Sequence, residues 1–315
     1  MKTLAPIVLF CYKRLDTLKQ TVESLQQNFL ATESELYIFS DGAKKKEDLA
    51  AILAVRDYLK TVTGFKNVFI FEAPVNKGLA NSIINGVTAV INKYGKVIVL
   101  EDDLVTSHNF LVYMNEGLDY YQNNPKIFSI TGFSIPMKGL DENSVYFTQR
   151  ANSCGWGTWI DRWKEIDWEV KDYTALMRSR STRRAFNRMG SDMTGLLTKQ
   201  VKGKISSWAI RWCYHQFKHD LYSVHPVVSK IINIGYDSAD STHTKEKYNR
   251  FETKLDKTDC TAINFDVPIR LEKKVIRQFV KPYSIPYRAI YKILNIILGS
   301  GALEEMFLFL ERYMI

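Results

Sequence analysis

The run Lys96-Val97-Ile98-Val99-Leu100 is apolar and β-branched, and it stops on three consecutive carboxylates, Glu101-Asp102-Asp103. Such a run fits a buried strand, inside which carboxylates cannot sit unpaired. They must emerge at its carboxyl end, where open α/β sheets bind their ligands. Along an extended chain Glu101 and Asp103 face one side and Asp102 the other. An anionic cluster at a strand end suits a hard divalent cation, and a cation there can neutralise a phosphate. A solvated turn after an edge strand would carry the same triplet, so the surrounding sequence has to decide between the two.

That surrounding sequence alternates. Ile7 to Phe10 reads as a first strand, and Leu15, Leu18, Val22 and Leu25 follow at the spacing of one helix face, with Asp16 in the first turn. Leu36 to Phe39 is a second strand, stopping at Ser40-Asp41-Gly42, and Val68 to Phe71 is a third, with a helix over Leu49 to Leu59 between them. Leu79, Ile83, Val87 and Ile91 mark the helix that feeds the acidic strand, and a helix near Phe110 to Tyr121 precedes a strand at Ile127 to Thr131. Strand and helix in alternation predict a mostly parallel sheet with helices on both faces. After Gly132 the texture changes. Tryptophans become dense (Trp156, Trp159, Trp163, Trp168, Trp208, Trp212) and helical periodicity is patchier, as in an elaborated half packed against the sheet.

A chain of 315 residues with 46% hydrophobic and 24% charged side chains can bury a substantial core, which excludes bulk disorder. Its 43 basic against 34 acidic residues leave a net charge of +9, suited to an anionic partner. No nucleic-acid-binding module is present in the sequence, and the positive excess lies late in the chain, so a nucleotide and a lipid surface are the expected anions. Cys11, Cys154, Cys213 and Cys260 are irregularly spaced without a CxxC pair, as expected of reduced thiols in the cytosol. The first ten residues fit a β-strand better than a signal peptide, because Pro6 interrupts a brief apolar run.

Further features fall at the same end of the expected sheet. The first strand leads into Tyr12-Lys13-Arg14 and the second into Asp41. A guanidinium such as Arg14 grips a base edge or a phosphate, and a carboxylate such as Asp41 holds a base N–H or a ribose hydroxyl. Asn76-Lys77-Gly78-Leu79-Ala80-Asn81-Ser82 opens a helix, where Gly78 permits close backbone approach and the helix start offers free N–H groups.

Together these elements resemble the nucleotide-sugar half of a GT-A glycosyltransferase. Val97 to Leu104, the helix from Phe110 to Tyr121 and Cys154-Gly155-Trp156-Gly157-Thr158-Trp159 resemble the N-acetylglucosaminyltransferase I family and its bacterial family 2-like relatives, over roughly residues 5 to 245. The fold implied is α/β, a Rossmann-like mixed and mostly parallel sheet flanked by helices. The domain expected spans 1–265, with a nucleotide-sugar half at 1–131 and an acceptor half at 132–265, followed by a basic amphipathic extension at 266–315. The resemblance makes Arg14 and Asp41 uridine contacts and places Glu101 on sugar hydroxyls, and Lys77, Asn81 and Asp102 are further donor-binding candidates. It makes Asp103 the direct ligand of Mn²⁺ or Mg²⁺. Ser82 stands where that family tends to place a histidine.

The implied reaction is metal-dependent and inverting, from a UDP-sugar to a hydroxyl of a glycan or lipid-linked glycan in cell-surface polysaccharide synthesis, by a cytoplasmic enzyme. In the acceptor half, Trp156, Trp159 or Trp208 could stack on a sugar face or belong to the core. Ser206 to Trp212 lies where related enzymes carry a catalytic carboxylate, and here it has none. Asp237 is then the first base candidate, with Asp161 and Asp192 behind it. His243, in the same polar Gly-containing loop as Asp237, is a candidate metal or diphosphate contact. Lys273 to Leu298 is either a peripheral membrane anchor or a helix packed on protein. Two rivals stand beside this reading. A sugar nucleotidyltransferase would want a glycine-rich loop after its first strand, and Phe10 to Arg14 has no glycine. A non-catalytic nucleotide-sugar or glycan-binding protein could keep the same fold.

Overall fold

The computed structural model describes residues 3–235 and 249–299. Its first half follows the predicted alternation: β1 (Ile7–Cys11), α1 (Leu15–Gln26), β2 (Glu35–Ser40), α2 (Leu49–Leu59), β3 (Asn67–Glu72), α3 (Leu79–Tyr94), β4 (Lys96–Glu101), β5 (Leu104–Thr106), α4 (Phe110–Tyr120) and β6 (Ile127–Thr131). Then come β7 (Val145–Thr148), β8 (Trp156–Trp159), α5 (Ile160–Lys164), α6 (Tyr173–Arg178), α7 (Arg180–Phe186), α8 (Met193–Val201), α9 (Trp208–Lys218), β9 (Tyr222–Pro226) and β10 (Ile231–Asn233). Helices α10 (Lys273–Phe279) and α11 (Ile285–Gly299) follow.

Eight strands form one sheet in the order β3-β2-β1-β4-β8-β6-β9-β7, and β5 pairs antiparallel with β10 as a separate ribbon. Strands β3, β2, β1 and β4 are parallel, so their carboxyl ends share one edge of the sheet. Strand β8 runs antiparallel between β4 and β6. The sheet is therefore continuous across residues 131 and 132, and the change of texture there marks no spatial boundary.

Side chains alternate across the sheet and build a core on each face. Ile7, Leu9 and Cys11 of β1 point to one side with Ile98 and Leu100 of β4, where α1, α2 and α4 cover them. Val8, Phe10, Val97 and Val99 point to the other, under α3, α8 and α9. Each fully buried Leu, Ile or Val contributes roughly 1.5–3 kcal/mol, and residues of this kind fix β4 on both faces. Helix α3 begins after Gly78 (φ +75°) and ends at Gly95 in a left-handed conformation (φ +77°). Both backbone angles favour glycine, so the loop before α3 and the turn into β4 are set by sequence.

Candidate active site

The carboxyl ends of β1 and β4 carry the chemistry. Strand β4 ends at Glu101, and Asp102 and Asp103 lie in the turn that leads to β5. Because the extended conformation stops there, the simple alternation of faces does not extend through the triplet. Asp102 and Asp103 are both within reach of one guanidinium. Arg14 Nη1 donates to Asp103 Oδ2 at 2.9 Å and Nη2 donates to Asp102 Oδ1. Asp102 is 3% exposed and also accepts from the Tyr12 backbone N–H at 3.2 Å. Arg14 therefore spans two of the carboxylates rather than standing free.

The Glu101 carboxylate accepts no hydrogen bond among the described residues. Burial, then the neighbouring Asp103 and Asp102, push its carboxyl up to about 8, against a smaller opposing pull from Arg14. Burial likewise raises Asp102 to about 6, although Arg14 opposes it. One guanidinium among three carboxylates leaves excess negative charge in a low-dielectric setting, and a cation would relieve it.

The ribbon of β5 and β10 closes over this cluster. Leu104 pairs with Asn233, and the Ile234 N–H donates to the Asp103 carbonyl at 2.9 Å. Gly235 then lies against the Asp103 side chain, so close that a Cβ there would fall 2.2 Å from Oδ2 and 2.9 Å from Arg14 Nη1. Gly235 escaped the sequence reading as a site residue. Its signal was the Gly-containing polar stretch after a strand.

The Asp41 carboxylate is tied into the loop before α3. Its Oδ1 accepts from the backbone N–H groups of Gly42 (2.9 Å) and Lys77 (2.8 Å). Its Oδ2 accepts from the Gly78 N–H (2.9 Å) and from Asn76 Nδ2 (3.0 Å). A carboxylate has about four lone-pair positions, so this one is fully engaged in holding the loop before α3. The same loop leaves Lys77 and Asn81 exposed at the helix start, where Asn81 Nδ2 donates to the Lys77 carbonyl.

The acceptor-side expectations need correction. Trp156 is 1% and Trp208 2% exposed, and they pack with Trp163 and Trp212 at ring separations of 4.3 to 6.2 Å. These indoles are core, since no sugar can reach them. Trp159 is buried on the opposite face of the sheet, with its Nε1 donating to the Leu118 carbonyl. Asp161 lies at the wrong end of the sheet. Antiparallel pairing sets Trp159 opposite Lys96, and the Ile160 N–H donates to the Gly95 carbonyl, so Asp161 follows the amino end of β4. Asp192 is clamped by Arg150 through two hydrogen bonds of 2.8 and 3.0 Å. Burial raises its proton affinity, but Arg150 outweighs that and holds it below the ordinary aspartate range, which unsuits it as a base. Asp237 and His243 lie outside the described residues.

Beside the acid cluster is a cavity of about 210 Å³ lined by Arg150, Asn152, Cys154, Ser207, Phe251 and Tyr283, among others. Burial and the negative charge of Asp103 and Glu101 raise the Cys154 thiol, which places this wall of the cavity next to the carboxylates. The rest of the lining is mostly apolar, with Phe133, Met193, Leu196 and Ile210, and Ser207 caps α9 by accepting from the Ile210 N–H.

A mixed, mostly parallel sheet with an acidic turn at its strand ends and a structured loop at a helix start defines a GT-A-type α/β protein. The model of glycosyl transferase family 2 matches residues 7–184, so the chain belongs to that family and is a glycosyltransferase. The match supports the family 2 part of the resemblance and not the N-acetylglucosaminyltransferase I part. Among solved structures, the chain is similar to the mannosyltransferase PcManGT from Pyrobaculum calidifontis in complex with GDP-Man and Mn²⁺, at 9% identity and TM-score 0.36 over 69% of this chain and 74% of that one. It is also similar to S. aureus TarS at 11% identity and TM-score 0.31, over 45% of this chain and 24% of TarS. A shorter form, TarS 1-349 in complex with UDP, matches at 9% identity and TM-score 0.30, over 43% of this chain and 37% of that one. No curated protein matches the sequence significantly.

Proposed function

We propose that the protein transfers a sugar from a UDP-sugar to a hydroxyl of a glycan or lipid-linked glycan, with inversion and with the help of a divalent cation. The observation that carries this reading is the meeting of Arg14 with Asp102 and Asp103 at the carboxyl ends of β1 and β4. The donor set fits a small hard cation. Mg²⁺-like ions are held by one or two carboxylates together with substrate phosphates and water, not by a full protein cage. No group of three or more potential ligands exists among the described residues, which suits a site completed by a diphosphate. Asp103 Oδ1 accepts no hydrogen bond among the described residues, so it is the carboxylate oxygen open to such an ion.

The bound cation would neutralise the charge that grows on the departing diphosphate. The chain's own groups do the rest. Arg14 holds Asp102 and Asp103 in place and stands ready beside an incoming phosphate. Asp41 fixes the loop whose Lys77 and Asn81 side chains face solvent at the start of α3, beside the donor. Glu101 borders the cavity wall at Cys154 and is the group to meet the transferred sugar. The cavity next to it is the acceptor site in this reading, replacing Trp156 and Trp208. Asp237, two residues beyond Gly235 in sequence, is the proposed base for the acceptor hydroxyl.

Calorimetric titration of UDP with and without Mn²⁺, on wild type and Asp103→Ala, tests the reading. Metal-dependent binding that disappears with Asp103 supports it. Binding indifferent to both metal and Asp103 would overturn the donor site.

A further inference from the structure

From Ile285 to Asn295, helix α11 turns an apolar stripe outward. Ile285, Pro286, Ala289, Ile290 and Ile293 fall on one helical stripe and are all exposed, with Ile285 at 69%, Ile290 at 53% and Ile293 at 55%. The half-buried side is the more polar one. It presents Tyr287, Arg288, Tyr291 and Asn295 with a single aliphatic residue, Leu294, and Arg288 Nη1 donates to Ser191 Oγ at 3.2 Å. A helix that merely caps its own domain has the reverse arrangement, as α10 does, with Val275 and Phe279 turned inward. Water is a poor solvent for the outward stripe of α11, so it calls for an apolar partner.

Charge indicates which partner. From Lys273 to Gly299 there are six basic residues and no acidic one. Lys273, Lys274, Arg277, Lys281 and Lys292 are exposed, and helical spacing sets Lys292 at the margin of the apolar stripe. A second copy of the same face would bring like charges together, whereas an anionic bilayer satisfies both the stripe and the charge. No helix among the described residues is long and apolar enough to cross a membrane. We infer that α10 and α11 form an interfacial anchor that lays the Ile285–Ile290–Ile293 stripe into an anionic lipid surface, with the basic side chains at the headgroups.

The placement has a consequence for the substrate. Tyr283 lines the cavity beside the acid cluster, and exposed Ile285 follows it by two residues, at most about 8 Å of chain. The anchor therefore brings the cavity to the lipid surface, where an acceptor carried on a lipid would present its sugar; this last step rests on the glycosyl-transfer reading.

The test is co-sedimentation of the full chain with vesicles of phosphatidylglycerol and phosphatidylcholine, and with phosphatidylcholine alone. The assay needs neither donor nor acceptor, so its outcome is independent of the reaction assigned above. Binding is expected to the anionic vesicles, weakened by 0.5 M salt and lowered roughly tenfold or more by Ile290→Glu with Ile293→Glu. The set Lys273→Gln, Lys274→Gln and Arg277→Gln, which leaves the apolar stripe intact, is expected to lower binding to the anionic vesicles alone. An unchanged thermal transition shows that each variant is folded. Absence of vesicle binding by wild type, or binding indifferent to both sets of substitutions, overturns the inference. A concentration-dependent dimer that the isoleucine substitutions dissociate, without vesicle binding, would assign the stripe to a second copy instead.

Discussion

Replacing Asp41 by alanine separates two roles that a carboxylate at this position can have. The structure gives it four acceptor contacts between 2.8 and 3.0 Å, three of them to backbone N–H groups of Gly42, Lys77 and Gly78. Hydrogen bonds to a charged group contribute about 1.5–3 kcal/mol each when buried, and less where the partners stay in reach of water. Lys77 is exposed, and Asn76 and Gly78 are half-buried, so water recovers much of the loss. Other anchors also survive, since Asn76 Nδ2 still donates to the Gly42 carbonyl and Arg56 to the Ala73 carbonyl. A net destabilisation of about 2–4 kcal/mol follows, which lowers Tm by roughly 3–6 °C in a chain of this size. Amide exchange at Lys77 and Gly78 should accelerate, and affinity for UDP and GDP should fall together because the whole loop loosens. Calorimetry and hydrogen exchange on the one variant read all three. An unchanged Tm and unchanged exchange, with affinity lost for UDP alone, would refute the loop-holding role and restore direct contact with the base.

Three further outcomes follow from the same geometry. Gly235→Ala forces a methyl group against Asp103 Oδ2 without demanding a left-handed backbone, so Mn²⁺-dependent UDP binding should weaken at least tenfold while Tm shifts little; wild-type affinity in that variant would show the loop yields freely. For Glu101 the carboxyl rises from 4.5 to about 8 on folding, so the folded state binds its proton more tightly than the unfolded chain. The stability it contributes is full below pH 4.5 and is lost as pH rises through about 8. Glu101→Gln should therefore be more stable than wild type at pH 8.5, by about 2–4 kcal/mol after discounting for its charged neighbours, with the gap closing toward pH 4.5 in urea unfolding. Asp161→Ala should leave turnover of any donor unchanged, because five strand steps of about 3.3 Å put it about 17 Å from Glu101; a large loss of activity would contradict the strand register. Asp161 is itself exposed, and its partner Arg162 is buried against the Ile127, Gln122 and Asn124 carbonyls that still hold it, so the lost pairing is worth about 1 kcal/mol.

The first half of the fold was legible because its signals are local. Ile7 to Phe10 and Val97 to Leu100 are buried on both faces and read as continuous apolar runs, while Leu18, Val22 and Leu25 repeat at the helical period. Gly78 and Gly95 punctuate α3 through backbone angles that other residues resist. Even the location of the acid cluster follows from local chemistry, since carboxylates have nowhere to go but the end of a buried strand. The tail was legible as basic and amphipathic, although not which of its sides would face the protein.

What the tertiary structure alone decided are the partnerships between distant residues. Arg14 and Asp102 stand 88 residues apart, and only the adjacency of β1 and β4 joins them. The engagement of Asp41 depends on a loop 36 residues later, which no periodicity announces. Strand β8 inserts antiparallel beside β4, and that single topological choice buries Trp156 and carries Asp161 to the far end of the sheet. Sequence sets the conformation of a segment through sterics and hydrophobic period, whereas a site is a set of long-range distances fixed only when the strands choose their neighbours.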